Sequence, residues 1–152
     1  MRVRYRANLL DTAGNQAHAA TSIPGREIVL DPELRRNAHE RQRILLHEYF
    51  HFTWVRLGNP RRRAWEEFLA REWKSRTRGE AGWSAEWRKK ELTALDLSQR
   101  TRRWRDYCCE SFCDTGAWIK SGIATENTLS RTRRCARAAW FEEQFGDSVL
   151  PI

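Results

Sequence analysis

The stretch Leu45-Leu46-His47-Glu48-Tyr49-Phe50-His51-Phe52 contains a His-Glu-x-x-His array and half of the chain's four histidines. Residues four apart on a helix lie on one face about 6 Å apart, so two imidazoles at this spacing can converge on one zinc ion. Glu48 follows one step round the helix, where a carboxylate can take a proton from water at such an ion. With this chain's His and Glu frequencies the pattern arises by chance about once in a hundred sequences. The competing reading is a helix whose histidines are satisfied core groups. The surroundings favour the metal: residues 37–57 read as one helix, apolar at Ile44, Leu45, Phe52, Trp54 and Val55, with Gly58 and Pro60 as stop signals.

Ahead of this helix the chain alternates. Val3, Tyr5, Ala7 and Leu9 interleave with Arg2, Arg4, Arg6 and Asn8, the period of a half-buried strand, and residues 11–15 supply a turn. Residues 16–22 are small and ambiguous. Ile23-Pro24-Gly25 then breaks the chain before Glu27-Ile28-Val29-Leu30, a short β-branched run stopped by Asp31-Pro32. Two or three strands therefore precede the metal helix. Behind it, residues 61–106 hold 14 of the 28 basic residues and five of the eight tryptophans, which marks residues 61–105 as an inserted helical segment. Trp65, Phe68, Leu69 and Trp73 have helical spacing, Gly79 and Gly82 interrupt, and Ser84 is placed to cap a helix carrying Trp87, Leu92 and Leu95. These aromatics read as core rather than as stacking partners for bases. Residues 98–120 form a further helix ended near Gly122, and residues 130–145 another with Cys135, Ala139 and Trp140 inward. Strands cluster at the start instead of alternating with helices, so the class is α+β: a small antiparallel or mixed sheet on a mainly helical body.

With 152 residues the chain fits one domain and can bury a core without disulfides. A net charge of +8 favours acidic partners, nucleic acid among them, although arginine also serves simply to solvate helices. The amino terminus has charges but no following apolar run, and nowhere do eighteen apolar residues occur together, so the expectation is a cytoplasmic protein with no membrane segment. Cys108, Cys109, Cys113 and Cys135 lack a paired Cys-x-x-Cys spacing and read as free thiols.

A catalytic zinc takes three protein ligands and leaves a fourth place for water. On the helix over residues 98–120, Tyr107, Glu110, Cys113, Asp114 and Ala117 share a face that would bury two carboxylates unless a metal and its histidines lay opposite. Glu110 is the expected third ligand, with Cys109 or Cys113 as alternatives. Asp114, one turn on, can accept the free ring N–H of a ligand histidine and fix its tautomer. His18 lies in a turn-rich stretch, and His39 is eight residues before His47, too far along the axis to share its ion.

His47-Glu48-x-x-His51 followed by Glu110-Ser111-Phe112-Cys113-Asp114 resembles the gluzincin signature, an HExxH helix plus a Glu-x-x-x-Asp helix, as found in thermolysin-like peptidases and minigluzincins. The resemblance covers residues 23–57 and 104–120. It implies a zincin-like body, one zinc ion held by His47, His51 and Glu110, Asp114 as partner of the first histidine, and Glu48 as general base toward a peptide or protein substrate. It also implies that Glu27, Ile28, Val29 and Leu30 are the edge strand along the substrate. Two departures stand out: 58 residues separate His51 from Glu110, and no separate histidine or arginine matches the family's transition-state stabiliser, a part for which Tyr107 is the candidate. SprT-like proteases, which act on DNA-bound proteins, also carry HExxH, but they complete the site with a later histidine that is absent here. A basic nucleic-acid-binding module, with residues 61–105 as its surface and any zinc merely structural, is the alternative from another class.

Overall fold

Helix α1, Ala38–Arg56, is packed on two fronts and so carries apolar side chains on nearly every side. Asn37 caps it by accepting the Glu40 N–H at 3.1 Å. One flank, with Ile44, Leu45, Tyr49 and Phe52, meets a three-stranded sheet through Ile28, Leu30 and the short 3-10 helix Pro32–Arg36. The other, with Phe50 and Trp54, joins a larger aromatic core. This computed structural model describes residues 1–10, 14 and 16–146. The turn expected over residues 11–15 falls mainly on residues outside that set.

The sheet is mixed and the fold is α+β. Strand β1, Arg2–Tyr5, runs parallel to β3, Glu27–Leu30, and β2, Ala19–Ser22, pairs antiparallel with β3 through a hairpin at Pro24-Gly25. The order is β1-β3-β2. The strand Glu27, Ile28, Val29 and Leu30 is therefore central, not an edge. Its continuous apolar run reflects burial between two neighbours, with Ile28 and Leu30 fully enclosed. The edge beside α1 is β2, within the stretch whose small residues gave no clear period.

The remaining helices are α2, Gly58–Lys74; α3, Trp83–Lys90; α4, Ala94–Gln99; α5, Arg102–Ser121; and α6, Arg131–Phe145. Gly58 takes φ +73° and ends α1, whereas Pro60 sits in the first turn of α2, where its missing N–H costs nothing. Residues 61–105 do not pack apart from the rest: Trp65, Leu69, Ala85 and Leu92 share one core with Phe50, Trp54, Phe112, Trp140 and Phe141. Ser84 caps nothing, because α3 begins at Trp83 with Gly82 as its N-cap, and Leu95 lies on α4 and is exposed. On α6 Trp140 is inward as expected, together with Arg137, Phe141 and Phe145, while Cys135 and Ala139 face outward. Among the described residues no helix is long and apolar enough to cross a membrane.

Helices α1 and α5 form the main helix pairing and position the site between them. Their close approach depends on Gly116, where a Cβ would fall 2.5 Å from the Phe50 ring. This crossing brings residues 47–51 opposite residues 109–114.

Candidate metal centre

His47 and His51 stack one turn apart on α1 with ring centroids 5.1 Å from each other. Glu110 reaches across from α5, its Oε2 3.1 Å from His47 Nε2. Donor atoms of His47, His51 and Glu110 all lie within 4.8 Å of one another, and those of His51, Cys109 and Cys113 form a second such group. Neither cysteine groups with His47, whereas Glu110 groups with both histidines. Two ligands about 2.0–2.1 Å from a tetrahedral ion stand about 3.3 Å apart, close to the His47–Glu110 separation. Two imidazoles and a carboxylate are also a donor set of the right softness for zinc.

Asp114 fixes the first ring. Its Oδ1 lies 2.8 Å from His47 Nδ1, leaving Nε2 aimed at Glu110. Its Oδ2 accepts the Ala85 N–H at 2.9 Å, so the same carboxylate caps the first turn of α3, which has no side-chain cap of its own. Gly82 is required here, because a Cβ would strike the Asp114 carboxylate at 2.5 Å.

The electrostatics favour a positive charge between the two acids. Burial opposes protonation of His47, yet the charge and hydrogen bond of Asp114, with those of Glu110, hold it well above the usual histidine range. Burial likewise opposes ionisation of Glu110, but the His47 hydrogen bond and the charges of His51, His47 and Arg88 bring its carboxyl down to about 2. His51, also pushed down by burial, is raised to about 8 by the hydrogen bond and charge of Cys109 and by Glu110. A divalent cation would answer the same field by displacing the proton.

Glu48 is buried, and its Oε2 accepts the Thr21 hydroxyl of β2 at 2.6 Å. Thr21, Ile23, Glu48, His51, Trp54, Val55 and Cys109 line a cleft of about 160 Å³ that opens to solvent. The edge strand, the acid of the motif and one candidate ligand thus share one cavity.

Tyr107 is not part of it. Its hydroxyl donates to Glu80 Oε1 at 2.6 Å in a fully buried cluster with Arg137 and Ser111. The stripe Tyr107, Ser111, Thr115 on α5 lies beside the Glu110 face, and Arg137 of α6 fills it. Arg88 is the cation that sequence reasoning missed: its Nη2 lies 3.4 Å from Glu110 Oε1, and its side chain is only part-buried. Thr21 was missed as well. No short-range signal marks either, since both reach the site through tertiary packing. Comparison with protein families, with curated proteins and with solved structures finds no match to this chain.

Proposed function

We propose that the protein is a zinc-dependent metallopeptidase in which His47, His51 and Glu110 hold one ion and Glu48 is the general base. The convergence of those three donor groups, one of which, His51, lines a cleft together with Glu48, carries the reading. When bound, zinc supplies a Lewis acid and makes water a usable nucleophile near neutral pH. The chain's own groups do the rest. Asp114 holds the His47 tautomer, and Thr21 aims one oxygen of Glu48, leaving the other to take a proton from the attacking water and return it to the leaving amine. Arg88, beside Glu110, partly offsets the charge of that carboxylate.

Strand β2 has one side paired with β3 and, among the described residues, no strand on the other. An extended peptide laid along that free edge would pass Thr21 and the cleft, so β2 replaces Glu27–Leu30 as the substrate strand in this reading. Four free thiols suit a reducing, cytoplasmic compartment. A second reading, attachment to nucleic acid, draws on the exposed basic residues Arg61, Arg63, Arg71, Lys74, Arg76 and Arg78. It is the weaker one, because Trp65 and Trp104 are buried and, of that segment's five tryptophans, only Trp83 is exposed for stacking on bases.

Glu48→Gln tests the enzyme reading against a panel of unfolded protein substrates. Zinc content should stay at that of the unaltered chain while hydrolysis falls by at least about a hundredfold, as for loss of a general base. Hydrolysis retained by the variant would remove Glu48 from the mechanism.

A further inference from the structure

His51 has a second nitrogen and a second set of neighbours. Its Nδ1 lies 3.5 Å from Cys109 Sγ and 3.5 Å from Cys113 Sγ. The three donor atoms fall within 4.8 Å of one another. The two cysteines are one turn apart on α5 and so project toward α1 together, which is the same i, i+4 logic that pairs His47 with His51. Both are free thiols, and Cys109 lines the cleft, which gives an ion a way in.

We propose that His51 Nδ1, Cys109 Sγ and Cys113 Sγ form a second metal site, one that takes a soft, thiophilic cation such as Cd(II) or Cu(I). Two sulfurs and one imidazole nitrogen are a soft donor set, whereas two imidazoles and a carboxylate are a harder one, so the two groups sort metals by chemistry. The site is distinct from the peptidase reading and does not depend on it. It shares His51 with that centre: Nδ1 faces the thiols, and Nε2 is the nitrogen left for an ion between His47 and Glu110. Binding needs Nδ1 and both sulfurs unprotonated, so whatever protons those three atoms carry leave to solvent.

Buried cysteines commonly act as small apolar groups, and Cys108 does so here, fully enclosed against the aromatic core. Cys109 and Cys113 differ, because both meet the same ring nitrogen. A thiolate is the form that binds metal.

Cd(II) is the probe, added to the metal-free protein and read by the thiolate-to-cadmium charge-transfer absorption in the ultraviolet. The unaltered chain should show this band, saturating at one ion per chain, and His47→Ala should still show it. The Cys109→Ser/Cys113→Ser chain should lose the band while keeping its circular dichroism. Cadmium-113 NMR of the unaltered protein should show a resonance in the range of mixed sulfur and nitrogen ligation, a readout that needs no variant. No band with the unaltered chain, a band undiminished in the double serine variant, or a cadmium resonance typical of oxygen and nitrogen ligation alone would each overturn the site. None of these readings uses hydrolysis, so they stand apart from the Glu48→Gln result.

Discussion

Asp114 does two jobs with two oxygens. One holds His47 Nδ1 and the other caps α3 at Ala85, so a ligand orientation and a helix start depend on one side chain. An amide has only one acceptor oxygen and cannot serve both N–H groups. Asp114→Asn should therefore weaken zinc binding by about 10–100-fold, as other losses of a ligand's supporting partner do, and calorimetric titration of the metal-free variant checks it. Unchanged affinity would mean that the ring is held by other contacts. This residue was legible in the sequence, because Glu110 and Asp114 share a helical face whatever the helix packs against. Tyr107 misled for the same reason. Spacing places a residue within one broad face, and only the neighbouring helix, here α6 with Arg137, decides which edge of that face it serves.

At the scale of elements, the long helices were readable to within a few residues. Periodicity over many turns is a strong local signal, and α1 and α6 begin and end close to where their caps imply. The start of α5 was misplaced by four residues, because the Thr93–Asp96 capping box that sets up α4 was not recognised: Leu95 was assigned to the helix of Trp87, and Ser98 and Gln99 to the head of α5. Strand order was not legible. Four residues suffice to mark β3 as a strand, but which strands flank it is settled by long-range pairing, and a continuous apolar run fits a central strand better than an edge. The Trp- and Arg-rich segment changed composition without leaving the core. Trp65 and Trp104 point inward while Trp83 is exposed, and most of its cations lie on the outside, so a shift in composition marked a surface and not a boundary.

The whole molecule is tied together by a buried charge cluster that no motif announced. Arg137 of α6, fully enclosed, donates to Glu72 of α2 at 2.6 Å and to Glu80, ahead of α3, at 2.7 Å, and also bonds Ser111 and Thr115 of α5. Four parts of the chain thus meet at one guanidinium. Burial works against the Glu80 charge, but Arg137 and Lys89 outweigh it and lower the carboxyl from 4.5 to about 2. A depressed carboxyl stabilises the fold fully above its unfolded value and ceases to do so as pH falls through the folded one. The lost contribution is on the order of 3 kcal/mol. Urea unfolding should show the midpoint falling between pH 4.5 and pH 2. Glu80→Gln should start from a lower midpoint at neutral pH, because it leaves part of a buried charge unmatched, and should show a flatter acid slope. Parallel slopes in the two chains would take Glu80 out of the acid response.

All of this packing places α1 against α5 at one register, and the claim with most riding on it is that the first ion sits between two imidazoles and an acid. X-ray absorption at the zinc edge, on protein loaded with a single equivalent of zinc, addresses it directly. The expected first shell contains nitrogen and oxygen alone at about 2.0–2.1 Å, and it should change when Glu110 is replaced by glutamine. Sulfur at about 2.3 Å, or zinc that does not bind at all, would contradict the centre built from His47, His51 and Glu110.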